Sequence, residues 1–240
     1  MSSGIVIIPT YNEIENIESI VRAVFSLDKV FHILIVDDNS PDGTAQKVTE
    51  LQTEFSEKLF LEVRKKKSGL GTAYVHGFKW ALQRNYEFIF EMDADFSHNP
   101  KDLERLHEAC VNGADLAVGS RYVTGVNVVN WPLSRVLLSY FASVYVRMIT
   151  GMKIMDATAG FICYKKYVLE TINLDKIKFI GYAFQIEMKY RAFAKKFNIQ
   201  EVPVIFTDRT KGQSKMSGAI IKEAVFGVLS LRIKKFFNRL

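Results

Sequence analysis

Along the first half of the chain, short runs of β-branched and apolar residues alternate with stretches whose apolar positions recur at helical spacing. Residues 4–9, 32–38, 59–64, 88–93 and 115–119 read as strands, and 13–25, 41–55, 70–84 and 100–111 as amphipathic helices. Strands that alternate with helices imply βαβ units and a mostly parallel sheet flanked by helices on both faces. The run Ile5-Val6-Ile7-Ile8, stopped by Pro9, has the look of a buried strand. Ser40-Pro41-Asp42 predicts a helix start, with a capping hydroxyl, a proline at the first helical position and an early acid.

The second half is less regular. Helices are expected at 133–150 and 183–196, strands at 159–164 and 200–207, and a terminal helix at 219–240. No linker or internal repeat is visible. Residues 1–218 are therefore expected to form one Rossmann-like α/β domain, with 219–240 a basic amphipathic helix on that domain or on a membrane surface.

Composition adds little to this picture and charge somewhat more. Hydrophobic residues make up 48% and charged residues 24%, a globular balance without low-complexity bias. The net charge of +6 suits an anionic partner without choosing among nucleic acid, anionic lipid and a phosphorylated substrate. Cys110 and Cys163 form no CxxC, which disfavours a zinc site or a disulfide framework and points to a reducing cytosol. The N-terminus lacks the basic region and cleavage site of a signal peptide. Apolar runs at 136–146 and 224–231 fall short of the roughly 20 residues that a spanning helix needs, though either suits a membrane surface.

The chemistry should lie beyond the carboxyl ends of the strands, where open parallel sheets bind ligands. Three polar clusters stand there: Pro9-Thr10-Tyr11-Asn12-Glu13, Asp37-Asp38-Asn39-Ser40 and Asp93-Ala94-Asp95. The first lacks the glycines of a dinucleotide fingerprint, and no P-loop occurs anywhere, so NAD, FAD and a P-loop NTPase are disfavoured. In extended backbone Asp93 and Asp95 would point the same way and share a hard divalent cation such as Mg²⁺ or Mn²⁺. An isolated pair would more often cap the helix after Asn99-Pro100; the two polar strand ends beside them favour the metal. Of Asp37 and Asp38, one is expected to face a nucleoside and the other to close a turn. Gly69-Leu70-Gly71 suits either a phosphate-facing helix start or a plain tight turn. Arg209, Lys211 and Lys215 lie among small residues in a loop suited to a polyanion, and Arg121 and Arg135 are further cations able to hold a phosphate.

Together with Gly119-Ser120-Arg121-Tyr122 and Arg209-Thr210-Lys211-Gly212-Gln213-Ser214-Lys215, these clusters resemble family 2 glycosyltransferases of GT-A fold. Within that family they are similar to the dolichol- and polyprenol-phosphate mannosyltransferase branch, over about residues 4–218. The resemblance implies GDP-mannose as donor, dolichyl or polyprenyl phosphate as acceptor, Mg²⁺ or Mn²⁺ as cofactor, and no nucleic acid. It places Pro9, Tyr11, Glu13, Val36 and Asp38 at the nucleoside, and Asp93 and Ala94 at the ribose and diphosphate. Asp95, with Asp93, would hold the metal; Arg209 would meet the donor diphosphate, with Lys215 in the same loop, and Asp95, Arg209 and Lys215 would be the catalytic set; Arg121 and Arg135 would receive the acceptor phosphate. Ser97 stands where some relatives carry glutamine, and the late Gln-x-x-Arg-Trp motif of processive relatives is missing.

The reaction so implied is inverting. An acceptor phosphate, already anionic, attacks the anomeric carbon while cations stabilise the leaving diphosphate, so no strong general base is needed. Glu187 is left either structural or sugar-contacting. Aromatic and basic residues at 131–141 and 229–240 suggest a cytoplasmic protein peripheral at the inner face of a membrane, alone or with a membrane-protein partner. A UDP-glucose-dependent transferase, a nucleotidyltransferase and a non-catalytic nucleotide-sugar-binding or membrane-adaptor protein are the competing readings.

Overall fold

The computed structural model describes residues 4–181, 183–208 and 227–233. In chain order the strands are β1 (Gly4–Thr10), β2 (His32–Asp37), β3 (Leu59–Val63), β4 (Phe88–Glu91), β5 (Leu116–Ser120), β6 (Val128–Val129), β7 (Ile162–Lys165), β8 (Ile199–Pro203) and β9 (Phe206–Thr207). The helices are α1 (Ile17–Phe25), α2 (Thr44–Glu54), α3 (Leu70–Gln83), α4 (Asp102–Val111), α5 (Leu133–Thr150), α6 (Lys166–Thr171) and α7 (Ala183–Ala194). Residues 227–233 are also helical.

Seven strands form one mixed sheet in the order β3-β2-β1-β4-β7-β5-β8. All neighbours run parallel except β7, which is antiparallel to both β4 and β5. The reversal brings the carboxyl ends of β1, β2, β4, β5 and β8 to one edge, together with the segment that enters β7. A parallel ribbon of β6 and β9 stands apart from the sheet.

Alternation along each strand sorts side chains between two apolar layers. Val6, Ile8, Ile33 and Ile35 pack with α1, α2 and α4 residues such as Val21, Val48 and Leu106. Ile5, Ile7, Leu34 and Val36 pack on the other face with Tyr74 and Phe78 of α3 and Phe184 of α7. Burial on both faces explains why the central strands read as unbroken apolar runs.

Several boundaries differ from the sequence reading. Helix α2 starts at Thr44, not near Pro41, because Gly43 takes φ +89° and the Asp42 carboxylate receives the Thr44 N–H at 3.0 Å. Ser40 is drawn back instead, its N–H donating to Asp37 Oδ1 at 2.8 Å. Residues 13–16 form a turn before α1, closed by Asn16 N–H to Glu13 C=O at 3.0 Å. The single strand expected at 200–207 is two, interrupted after Pro203, whose successor Val204 donates to Ser120 C=O at 3.0 Å. Strand β4 ends at Glu91, so Asp93 and Asp95 lie past it in a loop rather than in extended strand. Among the described residues no helix is long and apolar enough to cross a membrane.

Candidate active site

The loops after β1 and β2 are tied to each other. Asn12 N–H donates to Ser40 Oγ, Glu13 N–H to Thr44 Oγ1 and Ile14 N–H to Asp42 Oδ2, at 3.0, 3.0 and 3.1 Å. Asp37 anchors the junction: fully buried, it accepts from Thr10 Oγ1 at 2.8 Å and from the Ser40 hydroxyl at 2.6 Å. Asp37 is thus the turn-closing member of the acid pair.

Asp38 is nearly buried and ion-paired with Arg64, which also donates to Thr72 Oγ1 at 2.7 Å. The pair joins the end of β2 to the start of α3. There Gly69 and Gly71 serve packing: Gly71 N–H donates to Ile180 C=O at 2.9 Å, and a Cβ on Gly71 would sit 2.7 Å from Phe179 C=O. That N–H is spent within the protein.

Pro9 and Tyr11 are half-buried beside these loops, and the Lys67 ammonium lies 4.2 Å from the Tyr11 ring centroid. Glu13 receives the Asn16 side-chain N–H at 3.0 Å. Val36 points its side chain into the apolar layer, leaving only its backbone for a ligand.

Past β4, Asp93 accepts from the Tyr74 hydroxyl at 3.3 Å, and Asp95 Oδ1 from Ser97 N–H at 3.0 Å. Ala94 is buried between them in the opposite apolar layer. Burial pushes the Tyr74 phenol well up, so it stays a neutral donor to Asp93. Lys101 N–H donates to Asn99 Oδ1 at 3.1 Å just before α4. Thr207 N–H donates to Ser97 C=O at 3.1 Å, which binds β9 to this loop.

Arg121 and Arg135 converge on Trp131. Their guanidinium carbons lie 5.4 and 4.1 Å from its ring centroid. Arg121 grips the buried Asp156 through Nε and Nη2, both at 2.7 Å, and Arg135 Nη1 donates to Asp208 Oδ1 at 2.8 Å. His98, buried against Phe161 with ring centroids 4.8 Å apart, lies within electrostatic reach of both Asp95 and Arg121. The D-x-D loop and the two arginines therefore belong to one neighbourhood. Arg209 and Lys215 lie outside the described residues, as does most of the expected terminal helix.

Sequence reading missed a buried polar chain beneath this neighbourhood. Glu91 accepts from Tyr164 at 2.8 Å and from Gln185, while Lys189 donates to the Ala159 and Gln185 carbonyls. Burial raises the Glu91 carboxyl and lowers the Lys189 ammonium. Glu187 is structural: fully buried, it receives Arg191 Nε and Nη2 at 2.9 and 2.7 Å and the N–H groups of Lys178 and Phe179.

As a metal site, the described residues offer Asp93 and Asp95 but no cluster of three or more His, Cys, Asp or Glu. Two carboxylates suit a hard cation that completes its shell with phosphate oxygens and water, and fall short of a closed protein cage. The donor set fits Mg²⁺ or Mn²⁺ shared with a diphosphate.

A family model described as Glycosyl transferase family 2 matches residues 5–172. The chain is 47% identical over 235 residues to a polyprenol monophosphomannose synthase of Mycolicibacterium smegmatis, covering 98% of this chain and 89% of that protein. It is 45% identical over 222 residues to an undecaprenyl-phosphate mannosyltransferase of Micrococcus luteus, covering 92% and 90%. The fold is shared with a mannosyltransferase from Pyrobaculum calidifontis, solved in complex with GDP-Man and Mn²⁺, at a TM-score of 0.58 and 15% identity over 99% of this chain and 72% of that one.

Proposed function

The chain belongs to glycosyl transferase family 2, and within it we propose a polyprenyl-phosphate mannosyltransferase that moves mannose from GDP-mannose to dolichyl or polyprenyl phosphate with inversion. The observation that carries this reading is the likeness along almost the whole chain, and nearly the whole relative, to a polyprenol monophosphomannose synthase.

The geometry suits each part of the reaction. The linked loops after β1 and β2, with Pro9, Tyr11, Glu13, the Val36 backbone and Asp38, form the nucleoside side. Asp93 and Ala94 lie at the ribose and diphosphate. Asp93 and Asp95 are the residues that would hold Mg²⁺ or Mn²⁺, whose chemistry there is charge stabilisation of the leaving diphosphate. Arg209 and Lys215 add positive charge to the same leaving group. Arg121 and Arg135 receive the acceptor phosphate, whose anionic oxygen attacks without a strong base.

The lipid half of the acceptor needs a membrane surface. Helix α5 leaves Leu133, Leu137, Leu138, Phe141 and Met148 exposed, at 72, 45, 45, 60 and 78%. An exposed apolar side of this kind suits the headgroup region, and in this reading the enzyme is cytoplasmic and peripheral at the inner face of a membrane. The 1–218 transferase unit and the 219–240 helix remain the proposed division of the chain.

Donor choice is tested by competing GDP-mannose against UDP-glucose for transfer to polyprenyl phosphate. Mannosyl lipid as the main product supports the reading. Glucosyl lipid instead would keep the reaction class and move the donor.

A further inference from the structure

Arg121 is held in an unusually complete way for a residue assigned to an incoming anion. It is 8% exposed, and Asp156, at 0%, takes both Nε and Nη2 of its guanidinium as well as its backbone N–H, the last at 3.0 Å. Nη2 also donates to Thr158 Oγ1 at 2.8 Å. Asp156 is itself fixed, since its N–H and that of Met155 donate to the two carboxylate oxygens of Glu201 at 2.9 and 2.7 Å. Burial alone would raise the Asp156 carboxyl, but the guanidinium and its hydrogen bonds outweigh that and keep it ionised.

A side-on guanidinium–carboxylate pair defines the plane of the arginine as well as its position. Here the pair engages the Nε/Nη2 edge, so the orientation of the opposite edge is set by Asp156. Arg135 contrasts with this arrangement, because its carboxylate partner Asp208 is 28% exposed at the side chain and receives Nη1.

We propose that Asp156, seconded by Thr158, is a positioning residue for acceptor binding: it fixes the Arg121 guanidinium in the orientation that meets the acceptor phosphate. The inference rests on the reading of Arg121 as an acceptor-phosphate residue. In this role Asp156 acts through Arg121. It enters the site because β7 is antiparallel, which delivers the segment before that strand to the edge where the other strands end.

Steady-state kinetics with GDP-mannose and a polyprenyl phosphate, on Arg121→Ala, Asp156→Asn, Thr158→Val and the double variant Arg121→Ala/Asp156→Asn, test this. Asp156→Asn should raise the acceptor KM about tenfold, equivalent to about 1.4 kcal/mol, and leave the donor KM within about twofold. Thr158→Val should shift the acceptor KM in the same direction by less. In the Arg121→Ala background the Asp156 change should add nothing, because coupled residues are not additive. If Arg121→Ala leaves the acceptor KM unchanged, the reading of Arg121 fails and the inference falls with it. If Arg121→Ala raises that KM while folded Asp156→Asn does not, or raises both KM values equally, the positioning role alone is overturned. Should Asp156→Asn not fold, Thr158→Val decides: an unchanged acceptor KM overturns the proposal.

Discussion

Arg135 Nη1 donates to Asp208 Oδ1 at 2.8 Å, joining the first turn of α5 to the residue just before the basic segment 209–215. If Arg135 takes an acceptor phosphate, the Asp208 carboxylate competes for the same guanidinium. Such half-exposed pairs are worth about 0.2–1 kcal/mol.

Asp208→Asn should therefore lower the acceptor KM by up to about fivefold, the upper end of that range. The test is acceptor titration at saturating GDP-mannose. A raised acceptor KM would mean that Asp208 assists the phosphate site.

The exposed apolar positions of α5 predict a separation of surface binding from chemistry. Leu138→Asp/Phe141→Asp should weaken binding to anionic phospholipid vesicles by about tenfold or more, since burying each such side chain is worth about 1.5–3 kcal/mol. Turnover of a short, water-dispersed isoprenyl phosphate should be unaffected. Undiminished vesicle co-sedimentation would rule out this face as the contact.

Glu187 predicts a stability effect without a catalytic one. Its carboxylate is saturated by Arg191 and the N–H groups of Lys178 and Phe179. Glu187→Ala leaves the buried Arg191 guanidinium without its carboxylate, though Nη2 keeps the Lys176 carbonyl, and should cost about 3 kcal/mol, read by urea denaturation. The fraction still folded should keep its kcat; loss of turnover with unchanged stability would make Glu187 a substrate contact.

His98 predicts an acid-side loss of stability. Burial pulls its imidazole from 6.5 down to about 4, with Arg121 acting in the same direction and Asp95 and Asp156 against it. Between those values the unfolded chain binds the proton and the folded chain does not, so stability present above 6.5 is lost as pH falls toward 4. In His98→Phe, which keeps the stacking on Phe161, denaturation midpoints should lose that part of their slope over this range. An unchanged slope would assign it to other groups.

The parallel half of the fold was legible because its strands are buried on both faces and its site residues follow strand ends. Asp37, Asp38, Asp93 and Asp95 could be found that way. Asp156 could not, because it precedes a strand, and only the antiparallel placement of β7 brings it to the site edge. Glu91 and Lys189 were hidden for a different reason: a polar residue in an apolar strand or helix shows neither its burial nor its partner. The split of 200–207 depended on a pairing between β6 and β9 that joins residues far apart in the chain, and local periodicity carries no record of it.

The most direct measurement is incubation of the purified chain with labelled GDP-mannose, polyprenyl phosphate and Mg²⁺ or Mn²⁺, followed by organic extraction. The account predicts label in the lipid phase, abolished by a chelator and by Asp95→Ala in a variant that keeps its fold. Label that survives both treatments would contradict the assignment of the metal to Asp95. An unlabelled lipid phase with every nucleotide sugar, from protein that still binds the nucleotide, would contradict the transferase itself.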